Sequence, residues 1–171
     1  MLEKKLQKGM TANWLPTHEA GTQGTGKEMS RGSVELPGGA GIYLPFAANG
    51  INCVASQGKD VISYNFTGCI MAAYTQNGSR RVCHVSTGKG QDCKTEWEAI
   101  RQASTHVIAF KPHEFANIDA IQQAGQAFNC YGLITAAGEC FSIAVGGQMS
   151  DSPGQRKMIV VVSCDKVTQF L

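Results

Sequence analysis

Two short stretches of this chain hold residues that could do covalent chemistry. One is Phe66-Thr67-Gly68-Cys69. The other is Cys83-His84-Val85-Ser86-Thr87-Gly88, and His84 follows Cys69 by fifteen residues. Cysteine acts as a nucleophile only as the thiolate, and a neighbouring imidazole is the usual means of removing its proton near neutral pH. Between the two stretches lies Gln76-Asn77-Gly78-Ser79. Asn-Gly is the strongest short-range signal for a two-residue hairpin turn. Such a turn pairs Gln76 with Ser79, so His84 faces Met71 and Cys69 faces Ser86. Residues 69 and 71 point to the same side of a strand, so Cys69 and His84 are expected on one face, a diagonal step of about 7–8 Å apart. One extra loop residue would move His84 to the other face.

The chemistry this pair suggests is acyl transfer. Gly68 permits an unusual backbone angle or close approach of a substrate carbonyl. Backbone N–H groups near Cys69 could stabilise the oxyanion, while His84 takes and returns the proton. A third group should orient the imidazole. Ser63, six residues before Cys69, is the first choice, with Asn65, Thr67 or a backbone carbonyl as alternatives. The competing reading is a buried structural Cys beside a strand His.

The motif of a hydrophobic residue, Ser/Thr, Gly and Cys, with His on the next strand, resembles the Cys-His glutamine deamidase toxins. That group includes the cytotoxic necrotizing factor catalytic domain and Burkholderia lethal factor, and the CheD chemoreceptor deamidase has a similar core. Phe66-Thr67-Gly68-Cys69 looks like the toxins' Leu-Ser-Gly-Cys, His84 matches the family His in order and position, and Ser63 stands where the family often has a hydroxyl residue. The Cys83-His84-Val85-Ser86 context favours the toxin branch. The resemblance spans residues 60–90. It implies a sandwich of mixed β-sheets, Cys69 as nucleophile, His84 as acid-base and no cofactor. The implied substrate is a host protein bearing a reactive glutamine, which becomes glutamate. Transglutamination would follow if an amine replaced water. The alternatives are a thiol peptidase or amidase with the same dyad, and a non-enzymatic binding module.

The rest of the chain must position these residues. Its 171 residues suffice for one domain with a core. Twenty glycines and only 16% charged residues favour a turn-rich, strand-rich body. A net charge of +2 without a Lys/Arg run argues against a nucleic-acid partner. No stretch is apolar for long enough to span a membrane, and a monomer is expected. The first residues lack the apolar core of a secretory signal peptide, so synthesis in a bacterial cytoplasm and another export route to host cytoplasm are expected. Seven cysteines cannot all pair and include no C-x-x-C, which suggests free thiols in a reducing compartment rather than disulfides or zinc.

Residues 1–30 read as a flexible or draped arm with room for a short N-terminal helix, in which Trp14 could anchor the arm or bind a partner. Residues 31–171 read as a single catalytic domain. Gly21-Thr22-Gln23-Gly24-Thr25-Gly26-Lys27-Glu28 approximates a phosphate-binding loop but ends in Glu28 where Ser or Thr is needed. Strands are expected at 42–44, 51–54, 61–66, 69–74, 81–85, 106–110, 131–135 and 140–145. The continuous apolar run at 158–162 suggests a central buried strand. Thr95 to Glu98 fits a capping box opening a helix with Trp97, Ile100, Ser104 and Val107 on one face. Asn117 could cap a second helix burying Ile118, Ile121, Gly125 and Phe128. These elements predict an α+β fold, a sandwich of mixed, mainly antiparallel sheets with two or three peripheral helices. His106 is expected to be packed or capping, and His113 to lie in a surface loop. Cys130, Cys140 and Cys164 are expected as small core residues, and Cys53 and Cys93 lack an activating neighbour.

Overall fold

The computed structural model describes residues 1–88, 93–116, 129–148 and 158–171. In chain order the elements are β1 (Glu28–Met29), β2 (Val34–Glu35), β3 (Ile42–Leu44), β4 (Ile51–Ala55), β5 (Val61–Tyr64), β6 (Ile70–Gln76) and β7 (Ser79–Val85). They continue with α1 (Lys94–Gln102), β8 (Thr105–Phe110), β9 (Asn129–Ile134), β10 (Cys140–Gln148) and β11 (Met158–Lys166). Short 3-10 turns occur at Leu2–Lys5, Pro37–Gly39 and Pro112–Phe115. The fold is α+β, with two mixed, mostly antiparallel sheets. One has the order β1-β4-β7-β6-β8, the other β11-β10-β9-β5-β3-β2. The parallel pairs are β1 with β4 and β3 with β5.

Alternating side chains make three apolar layers from these two sheets. Between the sheets lie Ile42, Leu44 and Val61 from one side and Met71, Ala73 and Val82 from the other, joined by Phe66, Cys69 and Phe110. The outer face of the five-stranded sheet packs Ile51, Cys53, Ala72, Tyr74, Cys83 and Val85 under Trp97 and Ile100 of α1. The outer face of the six-stranded sheet buries Tyr43, Ile62, Tyr131 and Leu133 under Leu2, Leu6, Ala12 and Leu15. The first fifteen residues are therefore a packed cover, against which Trp14 also lies. Cβ-bearing leucines at 2, 6 and 15 do for one sheet what α1 does for the other.

Several expectations change in detail. β11 is an edge strand, not a central one, and Met158 at its start is exposed. Its apolar run is still explained, because both faces are covered. Val161 joins the arm-side layer, while Val162 packs with Ala116 and Ala144. The free edge itself is covered by the arm, whose Gly9 and Ala12 N–H groups donate to Val161 and Ile159 carbonyls at 2.8 Å each. The first helix starts earlier than the capping box predicts, with Cys93 at the N-cap and no side-chain cap bond. It also ends sooner: Ser104 Oγ donates to the Ile100 carbonyl at 2.5 Å, and Val107 belongs to β8. The strand expected through residue 66 stops at Tyr64, because Asn65 turns into a left-handed conformation at φ 75°. The second predicted helix, over 117–128, lies outside the described residues. No helix among the described residues is long and apolar enough to cross a membrane.

Candidate active site

The β6–β7 hairpin has the register that a two-residue turn requires. Asn77 and Gly78 both have positive φ, 50° and 74°, as the hairpin-forming turn demands. Gln76 then pairs with Ser79, Met71 with His84 and Ile70 with Val85. Cys69 stands one residue before β6. Its side chain joins Phe66, Met71 and Ala73 between the sheets. Cys83 points the other way, into the layer beneath α1. Cys69 and His84 thus share the inner face of the five-stranded sheet.

His84 is fully buried. Its Nδ1 lies 2.7 Å from Ser63 Oγ, which reaches it from β5 in the opposite sheet. Phe66 stacks on the imidazole with centroids 3.9 Å apart and planes 7° off parallel, and Phe46 lies at 5.1 Å. Among the described residues Nε2 has no hydrogen-bond partner. If Nδ1–H donates to Ser63, Nε2 keeps its lone pair for a proton from a reacting group. Burial among aromatic rings pushes the pKa of His84 down to about 3, so the ring is neutral.

Cys69 is 7% exposed. Burial raises its pKa, while hydrogen bonds from the Thr87 backbone and side chain oppose that rise. The Thr87 hydroxyl also donates to the Gly68 carbonyl at 2.8 Å. The resting pair is therefore a neutral thiol and a neutral imidazole on one sheet face, with no hydrogen bond from the thiol to Nε2. It is not the thiolate–imidazolium pair that an adjacent Cys and His suggest in sequence, and the reason is desolvation on both sides. Gly68 adopts φ 154°, a conformation that disfavours residues with a Cβ, although a Cβ there would meet only Thr87 Oγ1 at 4.0 Å. The glycine is required by its backbone angle rather than by crowding.

Of the three side chains proposed to orient the imidazole, Ser63 contacts it. Asn65 instead accepts from Asn129 Nδ2 at 3.1 Å, and Thr67 is exposed. Several supporting residues escaped the sequence reading. Asn52 pairs with His84 across β4 and β7 and is fully buried. Its Nδ2 donates to the carbonyls of Arg31 and Pro45, and its Oδ1 accepts from Arg31 N–H. It therefore ties down the segment carrying Phe46. An amide inside the apolar run Ile51-Asn52-Cys53-Val54 was the available signal, since a buried polar group needs partners. Gly132 pairs with Ser63, and a Cβ there would meet Met71 Sδ at 2.5 Å and Phe66 Cε2 at 3.1 Å. Nothing in a lone strand glycine announces that role.

The other candidates fall outside this cluster. His106 is exposed, with φ 51°, where the β6–β8 register shifts, so it is neither packed nor capping. His113 lies in a 3-10 turn. The Gly24 and Gly26 N–H groups that a phosphate would need already donate to Ala48 and Asn49 carbonyls. Cys130 and Cys140 are buried, Cys164 partly so, and none of the seven cysteines, all of them described residues, is disulfide-bonded. Among the described residues no three His, Cys, Asp or Glu side chains converge as a metal site. No protein family, curated protein or solved structure matches this chain.

Proposed function

We propose that this chain is a cysteine-dependent protein-glutamine deamidase of bacterial effector type, acting on a host protein in host cytoplasm. The single observation that supports the reading is that Cys69 and His84 share the inner face of the five-stranded sheet, with Ser63 of the facing sheet hydrogen-bonded to His84. A neutral resting pair suits a nucleophile that ionises only when substrate arrives. The Cys69 proton passes to His84 Nε2 as sulfur attacks the glutamine carboxamide carbon. Thr87, whose hydroxyl donates to the Gly68 carbonyl, holds the backbone just before the sulfur in place. The C–N bond then breaks, His84 returns the proton and ammonia leaves. Water adds to the thioester with His84 as base, which releases glutamate and the thiol. Neither a metal nor an organic cofactor enters these steps. An amine in place of water would give transglutamination.

The near-closed position of Cys69 fits a single extended side chain better than a polypeptide backbone, which sets deamidation above peptidase chemistry. One observation favours a second reading. Burial that neutralises both Cys69 and His84 is also what a structural pair in a binding module would show. The test is incubation of the protein with host cell extract, followed by peptide mass mapping. Deamidation adds about one mass unit at a glutamine, transglutamination adds the amine, and proteolysis cuts the chain. Modification lost in both Cys69→Ser and His84→Ala supports the enzyme. Unchanged glutamines with wild-type protein, or modification that survives either substitution, would sink it.

A further inference from the structure

Cys53 of β4 and Cys83 of β7 are direct register partners. On one side of them Ser86 N–H donates to the Gly50 carbonyl at 3.1 Å, and on the other Ser56 N–H donates to the Arg80 carbonyl at 3.0 Å. Ladder bonds alternate every second residue in an antiparallel pair, so Cys53 and Cys83 occupy a non-hydrogen-bonded position. Backbones at such positions approach to about 4.5 Å between Cα atoms, inside the roughly 4.4–6.8 Å range of disulfides. Both side chains enter the layer beneath α1. The Cys53 sulfur also sits 3.6 Å from the Tyr74 hydroxyl in that layer. No other two cysteines are register partners among the described strands.

We propose that Cys53 and Cys83 form a cross-strand disulfide site, a dithiol in reducing cytoplasm and a disulfide when the chain folds with a small-molecule disulfide oxidant such as glutathione disulfide. One thiolate attacks a sulfur of glutathione disulfide and expels a glutathione thiolate. The second cysteine thiolate then attacks the mixed disulfide at the protein sulfur and expels the second glutathione. Two electrons pass from the cysteines to the oxidant, and the two thiol protons end on the two glutathiones. Both thiols are sealed in the folded state, at 1% and 0% exposure, so exchange belongs to the folding chain rather than the finished one. The bond would join the strands immediately beside Asn52 and His84, without using either residue. It does not depend on the proposed deamidase activity.

The experiment is refolding of reduced, urea-unfolded protein in glutathione redox buffer and, separately, in excess dithiothreitol. After acid quenching and alkylation, intact mass and non-reduced peptide maps are recorded, with thermal midpoints of both products. The expected glutathione product is about two mass units lighter, with Cys53 linked to Cys83 and a raised midpoint. Cys53→Ala and Cys83→Ala should each abolish the mass loss and the midpoint difference. Should either variant not refold, the peptide map of wild-type protein decides alone. Seven alkylatable thiols after glutathione refolding, or a linkage that joins other cysteines, would overturn the proposal.

Discussion

Ser63 Oγ and His84 Nδ1 stand 2.7 Å apart although the two residues belong to different sheets. The hydrogen bond crosses the sandwich interior between β5 and β7, surrounded by Phe46, Phe66 and Met71. In so apolar a setting an unpaired ring nitrogen is costly, about 1–3 kcal/mol. Ser63→Ala should therefore lower stability by an amount of that order. It should also slow turnover by roughly ten- to a hundredfold, less than the loss of His84 itself. Urea denaturation and single-turnover kinetics read the two effects separately. A Ser63→Ala protein with unchanged stability would show that the bond contributes nothing.

The depressed pKa of His84 makes stability depend on acid. Unfolded, the imidazole titrates near 6.5, while folded it stays neutral down to about 3. The unfolded chain thus binds the extra proton between these values, and stability conferred by neutral His84 is present above pH 6.5 and is lost as pH falls toward 3. The slope is about 1.4 kcal/mol per pH unit, hence about 2 kcal/mol by pH 5. A His84→Gln variant should lose this contribution, so the gap between its stability curve and the wild-type curve should change between pH 7 and 5. Parallel curves would contradict a buried neutral imidazole.

Cys69 titrates in the opposite region. Burial raises its pKa, so the free protein should react slowly with iodoacetamide near neutral pH and faster as the pH rises. Thr87→Val removes the hydroxyl that donates to the Gly68 carbonyl and opposes the rise in the Cys69 pKa, and should move the labelling profile further alkaline, with Thr87→Ser restoring it. Rapid labelling of Cys69 near pH 6 would mean that a thiolate pre-exists and that the neutral-pair description is wrong.

Two glycines near the site should fail for different reasons. Gly132→Ala drives a Cβ to 2.5 Å from Met71 Sδ and 2.8 Å from Pro112 Cγ, so the ring stack of Phe66 on His84 must shift. Overpacking of this kind costs about 1–3 kcal/mol, and activity should fall with it. Gly68→Ala meets Thr87 Oγ1 only at an ordinary contact distance of 4.0 Å and suffers from φ 154°, a backbone cost on the order of 1–3 kcal/mol. Chemical denaturation and the near-UV spectrum of the aromatic cluster distinguish them: the spectrum should change in Gly132→Ala and stay in Gly68→Ala.

Asn52→Ala should destabilise by about 2–4 kcal/mol, because Arg31 N–H and the Arg31 and Pro45 carbonyls lose their partner together. Hydrogen exchange should rise first in the segment around Pro45 and Phe46. Protection unchanged there would show that Asn52 does not anchor it.

Local chemistry was enough to settle the hairpin from sequence. Asn77-Gly78 admits few turn geometries, the turn dictates the register, and a period of two then decides that His84 shares a face with Cys69 while Cys83 does not. The two-sheet class followed for the same reason, from short apolar runs between turn residues. What no local rule could supply was whatever lies across the sandwich. Asn52 reads as one polar residue in a strand until Arg31 and Pro45 are brought to its amide, and Gly132 as a weak point until Phe66 and, from the facing sheet, Met71 close on it. The ionisation of the pair was equally hidden: adjacency in sequence suggests an ion pair, but only three-dimensional burial removes the water that would stabilise it. The run at 158–162 likewise looked central, because sequence records that both faces are covered and not that the covering comes from residues at the start of the chain. Short-range sterics determine strand, turn and facing. Desolvation and cross-sheet contact, which depend on everything brought near, were decided by the tertiary structure alone.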